Sequence, residues 1–220
     1  MPRILQMAED FAERFNFEPA RVAGIVKALR EGGLIKAGPR GVNAPDCTPL
    51  DAARILIAMM LRVRHEDVAE GVSLFGAMQV ARGALTNDAK APESFEQSMA
   101  EILAFCGRDD TSWLDQADIK ACIYRDTCTA ETVLSIFAED DDARWELDDF
   151  DGVNERHGYL FLHPEFSASH AADNTPTPEL LAAWRKYRSG FHEVPTLTRQ
   201  DFFEIGQVLA GHQPPKTFAK

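Results

Sequence analysis

The spacing of apolar residues changes a little past the middle of this chain, and that change restricts the possible folds more than any other feature. Up to about Thr127, apolar side chains recur every three or four residues, which is typical of amphipathic helices. Beyond it, three runs are rich in β-branched and aromatic residues, with acidic or turn-forming residues between them: Thr132–Phe137, Trp145–Leu147 and Tyr159–Leu162. The sequence therefore predicts an α+β fold in which helices precede an antiparallel meander.

The N-terminal part of the chain predicts three short helices that pack as one helix-turn-helix-like unit. Apolar residues stand at helical spacing in Pro2–Asn16, Pro19–Glu31 and Thr48–Arg64. The side chains expected on the buried faces are Phe11, Phe15, Val22, Ile25, Val26, Leu29, Ile57 and Leu61. The pattern favours a helical domain over residues 1–64 and an acidic α+β domain over residues 65–220, with the two able to pack as one unit.

Local signals mark where these helices begin and end. Pro19 suits the first turn of a helix, and Gly32–Gly33 ends the second segment. Thr48 can cap the third helix, with Asp51 reaching back to the backbone of the cap. The second and third helices therefore each have at least one boundary that the sequence itself explains.

The remainder of the chain predicts further helices around the meander. The centre, from about Glu66 to Thr127, has helical spacing, apart from a loop near residues 86–92. After a polar, proline-containing stretch, a short helix is expected around Trp184 and an edge strand within His192–Leu197. Thr198 is expected to cap a C-terminal helix.

Charge is distributed unevenly along the chain, whose formal net charge is -12 at pH 7. From Met1 to Arg64 there are 10 Lys and Arg residues and 7 Asp and Glu residues, a net of +3. The rest of the chain has 13 basic and 28 acidic residues, a net of -15. Only the N-terminal part could approach a phosphate backbone without strong repulsion, so the surface as a whole is not a nucleic-acid interface.

A motif in Phe17–Asn43 carries a resemblance to a known family. Its apolar residues and glycine follow the order Val-x-x-x-Val-x-x-Leu-x-x-x-Gly-Leu-Ile and are Val22, Val26, Leu29, Gly33, Leu34 and Ile35. In this the chain resembles the winged-helix family of helix-turn-helix DNA-binding regulators, in which a recognition helix leads straight into a β-wing. Residues 36–43 take the place of the wing. The wider run to residue 61 also looks like small regulator-like proteins encoded by phages and prophages.

The resemblance implies a DNA-binding regulator or accessory factor that places the helix Pro19–Arg30 in the major groove of double-stranded DNA. Arg21 would read a base, because a guanidinium can bond a guanine edge in two places. The residues that would neutralise phosphates are Lys27, Arg30, Lys36 and Arg40. A homodimer is expected, since one helix with so few basic contacts binds weakly. An amphipathic helix pair with an ordinary solvated basic face explains the same residues.

The main alternative is a protein–protein interaction module. It would use the same helix pair or the acidic run Glu139–Asp142, which is followed closely by Asp148, Asp149 and Asp151. An acidic surface of this kind could bind a host protein as a DNA mimic. The run does not form a calcium loop, because the EF-hand template would place its first and last ligands on Leu147 and Gly158, which lack side-chain oxygens.

The sequence gives no support for an enzyme, a cofactor, a metal or a membrane span. It contains no GxSxG, P-loop or dinucleotide-binding motif, and its four cysteines lack zinc-ligand spacing. His157 and His163 share a parity and could form a metal or acid–base site, but exposed surface histidines are the preferred interpretation. Apolar runs are too short for a bilayer, and the N-terminus does not read as a signal peptide, so a cytoplasmic location is expected.

Overall fold

The computed structural model describes residues 2–36, 38, 45–83, 92–110, 117–125, 129–136, 157–163, 177–187 and 194–212. These residues form α-helices and one five-stranded antiparallel sheet, so the predicted α+β class is confirmed. The helices are α1 (Ile4–Arg14), α2 (Pro19–Glu31), α3 (Pro49–Leu61), α4 (Val68–Gly76), α5 (Phe95–Cys106), α6 (Pro178–Tyr187) and α7 (Arg199–Ala210). The strands are β1 (Gln79–Gly83), β2 (Ala117–Tyr124), β3 (Thr129–Ile136), β4 (His157–Leu162) and β5 (Thr196–Thr198).

The three predicted N-terminal helices are present, and the residues expected on their inner faces are buried, except that Phe15 is only partly buried. α1, α2 and α3 contact one another in pairs, which gives a three-helix unit. Only α1 precedes α2 among the residues described. A single bridge between Arg3 and Asp46, together with a bond from the Cys47 N–H to the Pro2 carbonyl (2.8 Å), joins the start of α1 to the approach to α3.

The glycine pair after α2 ends the helix by a defined hydrogen-bonding pattern. Gly33 adopts a φ of 73°, a conformation that glycine tolerates best. The Leu34 N–H then donates to the Leu29 carbonyl at 2.9 Å, and the Gly33 N–H donates to the Arg30 carbonyl at 3.0 Å. This is a Schellman motif, which satisfies carbonyls that the helix end would otherwise leave unpaired. The motif gives Gly33 and Leu34 a structural role that does not depend on a wing.

Two predicted N-terminal caps are confirmed. At α3, the Thr48 hydroxyl accepts from the Asp51 N–H at 3.1 Å, and the Asp51 carboxylate accepts from the Thr48 N–H at 3.0 Å. At α7, the Asp201 carboxylate accepts from the Thr198 N–H at 2.7 Å. Reciprocal bonds of this kind satisfy N–H groups in the first turn, and they fix where each helix begins.

The helical prediction for the centre of the chain is wrong in two places, because Gln79–Gly83 and Ala117–Tyr124 are strands. Along β2, alternate residues from Ala117 to Ile123 are buried, while Asp118 is exposed and Lys120 partly exposed. Alternation with a period of two places successive side chains on opposite faces of a sheet. Alanine and lysine, which favour helices, obscure this alternation in the sequence.

The sheet has the strand order β1-β4-β3-β2-β5, with antiparallel neighbours. β2, β3 and β4 pair in chain order, so the meander is confirmed, although its first member is β2. The strand predicted at Trp145–Leu147 lies outside the described residues. β5 lies at the edge of the sheet, as the pattern near residues 192–197 predicts, and it pairs with β2.

One continuous hydrophobic cluster joins the N-terminal helices to the rest of the fold. α5 packs against α3, β3 and α7, and it is central to that cluster. The Arg54 guanidinium of α3 donates to both carboxylate oxygens of Glu96 on α5, at 2.9 and 2.8 Å. α5 and α7 approach closely at Gly206, where an added Cβ would lie 2.6 Å from the Leu103 carbonyl oxygen. The proposed division at residue 64 stays a prediction.

Candidate nucleic-acid interface and an adjoining groove

The outward face of α2 carries the cations that the sequence singles out. Arg21 and Lys27 are exposed, as is Lys36 just beyond the helix end. Two small residues of α2, Ala20 and Ala23, are exposed as well. A helix face of this kind lets its backbone approach a partner surface closely while cations reach around it. The fifth predicted residue, Arg40, lies outside the described residues.

Arg21 is oriented by an aromatic neighbour. Its guanidinium carbon lies 5.3 Å from the centroid of the Phe17 ring. A guanidinium over an aromatic face is attracted by the ring quadrupole, and at an exposed site the interaction contributes about 0.5–1 kcal/mol. The side chain is therefore biased toward the α1–α2 corner, with its nitrogen donors still available to solvent.

Lys27 takes part in a small cluster of exposed charges. Its Nζ lies 3.7 Å from a carboxylate oxygen of Glu31, and the His65 Nε2 lies 3.8 Å from the other oxygen. Lys27 and Glu31 are 69% and 60% exposed, so the pair contributes little to stability. His65 begins a short 3-10 helix that borders this face of α2, close to Gly24.

Arg30 differs from the other predicted phosphate ligands. It is only partly exposed, and its Nε is buried without a hydrogen-bond partner in the structure as described. A buried guanidinium nitrogen of this kind is costly unless it is paired. Arg30 is therefore less accessible to a phosphate than Lys27 or Lys36.

Most of the predicted wing lies outside the described residues. Of residues 36–43, only Lys36 and Gly38 are described, and neither belongs to a strand. The backbone immediately before them is fixed, because the Arg54 guanidinium donates to the Leu34 carbonyl. Lys36 consequently extends from an anchored turn at the end of α2.

A shallow groove next to this face was not predicted from the sequence. We call it the corner groove, and its lining residues are Phe15, Phe17, Leu56, Met59, Met60, Arg62, Pro195, Thr196 and Leu197. Its volume is about 100 Å³. Pockets for drug-sized ligands are several times larger, so the groove does not fit a small-molecule site. It was missed because β5 and the residue before it, which form one wall, come from the far end of the chain.

The described ranges contain no cluster of potential metal ligands, and the cysteines in them are buried. No group of three or more His, Cys, Asp or Glu residues within the described ranges is placed to hold a metal. Burial raises the pKa of the Cys47 and Cys106 thiols to about 12, with the Asp51 carboxylate adding to the effect at Cys47. Neutral thiols of this kind are poor nucleophiles and poor metal ligands. The His157 side chain and the acidic run at 139–151 lie outside the description.

No helix in the described part of the chain is long and apolar enough to cross a bilayer. No family model, curated protein or solved structure matches the chain. α2, Lys36 and the surfaces beside them are therefore the features that can indicate a function.

Proposed function

We propose that the chain binds duplex DNA through the outward face of α2 and Lys36, as a regulator or accessory factor. The observation that supports this most is the combination of exposed cations with exposed small residues on one helix of a three-helix unit. Small residues allow a helix to approach base edges, and cations supply the sequence-independent attraction to phosphates.

The roles of the cations differ within this proposal. Arg21, held over Phe17, reads a base, whereas Lys27 and Lys36 neutralise phosphates. Lys27 has to exchange Glu31 for a phosphate, but an exposed pair of this kind is worth only about 0.2–1 kcal/mol, so the exchange costs little. Arg30 contributes through its charge more than through a direct contact, because its Nε is buried.

The test measures binding of fluorescent duplexes across a salt series by anisotropy. Replacing Lys27 and Lys36 together with Ala should weaken binding to all sequences and lower the slope of log K against log salt by roughly two units. Arg21→Ala should instead reduce discrimination between sequences by about 1–3 kcal/mol. The two results differ in kind, so each role is tested separately.

A matched control removes two exposed cations elsewhere, Arg108 after α5 and Arg185 on α6, and so changes net charge equally. It should leave the salt slope almost unaltered. Equal effects from both double variants would mean that overall charge, and not α2, governs binding. A full-length protein without affinity for any duplex at low salt would exclude the proposal, since the phosphate attraction is strongest there.

A protein–protein interaction module is the second candidate function. It is favoured by the corner groove, whose lining combines the partly buried rings of Phe15 and Phe17 with the buried side chains of Met59 and Met60. Methionine is flexible and polarisable, and it is used at surfaces that adapt to protein partners. The DNA-mimic version of this function depends on residues 139–151 and stays a prediction from the sequence.

A further inference from the structure

The segment that joins α3 to α4 carries cations beside α2. We call residues 62–67 the α3–α4 connector. Arg62, Arg64 and His65 are exposed in it, whereas Val63 is partly buried and packs against the hydrophobic core. The connector therefore presents two arginines to solvent on either side of an anchored valine.

Hydrogen bonds from three directions fix the backbone of the connector. Just before it, the Leu61 carbonyl accepts from the Arg125 guanidinium at 3.0 Å. Within it, the Asp67 N–H donates to the Arg64 carbonyl at 3.0 Å. At its end, the Asp67 carbonyl accepts from the Tyr187 hydroxyl at 3.1 Å. Arg64 thus extends from a backbone that is held at both ends.

The connector lies against the outward face of α2. A Cβ added to Gly24 would lie 3.8 Å from the His65 Nδ1. Gly24 is three residues from both Arg21 and Lys27, and residues at this spacing are neighbours on a helix surface. The His65 Nε2 also lies 3.8 Å from a carboxylate oxygen of Glu31. The connector consequently borders the middle of the face that carries the proposed DNA contacts.

The start of the connector is also close to this face. Arg62 and Phe17 both line the corner groove, and the Arg21 guanidinium stacks on the Phe17 ring. Both ends of the connector therefore adjoin residues of the proposed interface.

Arg64 has no carboxylate partner in the part of the chain that the structure describes. Within the same ranges, Arg21 and Lys36 share this property. The whole sequence has 35 Asp and Glu residues and 23 Lys and Arg residues, so carboxylates outnumber the cations. Several other cations do pair with carboxylates, and these are Arg14, Arg54, Lys120 and Lys186. Unpaired cations thus lie at α2 and the connector, where an external anion can reach them.

The connector also contains two carboxylates, which differ in their surroundings. The Asp67 carboxylate is partly exposed and lies 2.5 Å from the Lys186 Nζ, so a cation of the protein already balances it. Glu66 is exposed. An anion bound at Arg64 would be repelled by Glu66, two residues away, and this repulsion can be removed by substitution.

We propose that the α3–α4 connector is a second element of the DNA interface, in which Arg64 neutralises a phosphate next to the face of α2. This inference rests on the proposed DNA binding, and it adds a contact from outside the helix-turn-helix segment. A phosphate backbone is the anion that suits a row of exposed cations, because its charges repeat along the duplex.

The test uses the full-length protein and fluorescent duplexes, with anisotropy measured across a salt series. Each neutralised phosphate contributes about 0.9 unit to the slope of log K against log salt, so Arg64→Ala should lower the slope by about that amount for every duplex. Between about 50 and 200 mM salt, the native protein should then lose roughly 3.5-fold more affinity than the variant loses. Arg64→Lys keeps the charge and should keep the slope.

Glu66→Gln tests the same contact with the opposite sign. Removing a carboxylate beside a bound phosphate should strengthen binding to all duplexes, a result that a misfolded variant could not give. Arg108→Ala and Glu101→Gln are the matched controls, since they make the same charge changes at exposed positions after and on α5. Both controls should alter affinity much less than the connector variants do.

The inference is overturned if Arg64→Ala changes the slope no more than Arg108→Ala does, or if Glu66→Gln does not strengthen binding. In either case, a slope lowered by about two units on replacing Lys27 and Lys36 with Ala would still support the interface on α2. Only the connector would then be excluded. A full-length protein that binds no duplex at low salt excludes both proposals.

Discussion

Replacing Arg54 with Ala should destabilise the fold more than its position on one helix suggests. Its guanidinium makes a bidentate ion pair with Glu96 of α5, and it also donates to the Leu34 carbonyl beyond α2. Removing one partner of a fully buried ion pair lowers the free energy of unfolding by ~3–5 kcal/mol. Because both charged side chains of this pair are 20% exposed, the decrease should be somewhat smaller here. We expect Arg54→Ala to lower the free energy of unfolding by about 2–3 kcal/mol.

The contribution of the bond to Leu34 can be separated from that of the ion pair by comparing Glu96→Ala with Arg54→Ala. Glu96→Ala leaves the Arg54 bond to the Leu34 carbonyl in place, whereas Arg54→Ala also removes that bond. Since a hydrogen bond contributes about 1 kcal/mol net, Glu96→Ala should cost about 1 kcal/mol less than Arg54→Ala. The hydrogen bond to Glu96 raises the pKa of Arg54 further above its ordinary value, so Arg54 stays ionised throughout the experiment.

Urea denaturation of both single variants and the double variant gives the coupling energy directly. The exposed pair Lys27 and Glu31 is the matched control, for which a coupling of no more than about 0.5 kcal/mol is expected. A coupling for Arg54 and Glu96 as small as that of the control would refute the reasoning. Equal losses from the two single variants would show that the bond to Leu34 contributes nothing.

Two further predictions concern packing and pH. Leu29→Ala should lower the free energy of unfolding by about 2–5 kcal/mol in urea, because Leu29 is fully buried; a loss below 1 kcal/mol would place it outside the core. Burial, with a hydrogen bond to Glu131, raises the pKa of Tyr124 to about 12 from an ordinary value of 10.0. The folded state holds the Tyr124 proton more tightly than the unfolded state does. The resulting stabilisation of the fold is complete below pH 10 and is lost as the pH rises toward 12. Absorbance titration at 295 nm, with Tyr124→Phe as reference, measures it, and a midpoint near 10 would contradict it.

The parts of the fold that follow from local signals could be predicted from the sequence. Thr48, with Asp51 three residues later, determines the start of α3 through bonds that span a single turn. The glycine pair after α2 likewise ends that helix within a few residues. Such signals depend on neighbours in the sequence, so one chain without its structure suffices to detect them.

The features that depend on distant residues could not be predicted. β2 reads as a helix in isolation and becomes a strand because it pairs with β3 and β5. Partial burial of Arg30 also depends on packing around α2, although its position on the helix suggested a phosphate ligand. The corner groove requires α1, α3 and β5 to meet, and no local pattern indicates that meeting.

The position of β5 near the C-terminal end of the chain has a consequence for the kinetics of folding. Cys122 and Thr196, whose side chains lie 3.4 Å apart, are separated by 74 residues, and contacts across such distances form slowly. During synthesis the N-terminal helices leave the ribosome long before β5 is made. Met59 and Met60 would then be uncovered on the side that β5 later borders. A nascent chain at that stage presents an apolar surface that chaperones recognise, and β5 shields part of it when synthesis is complete.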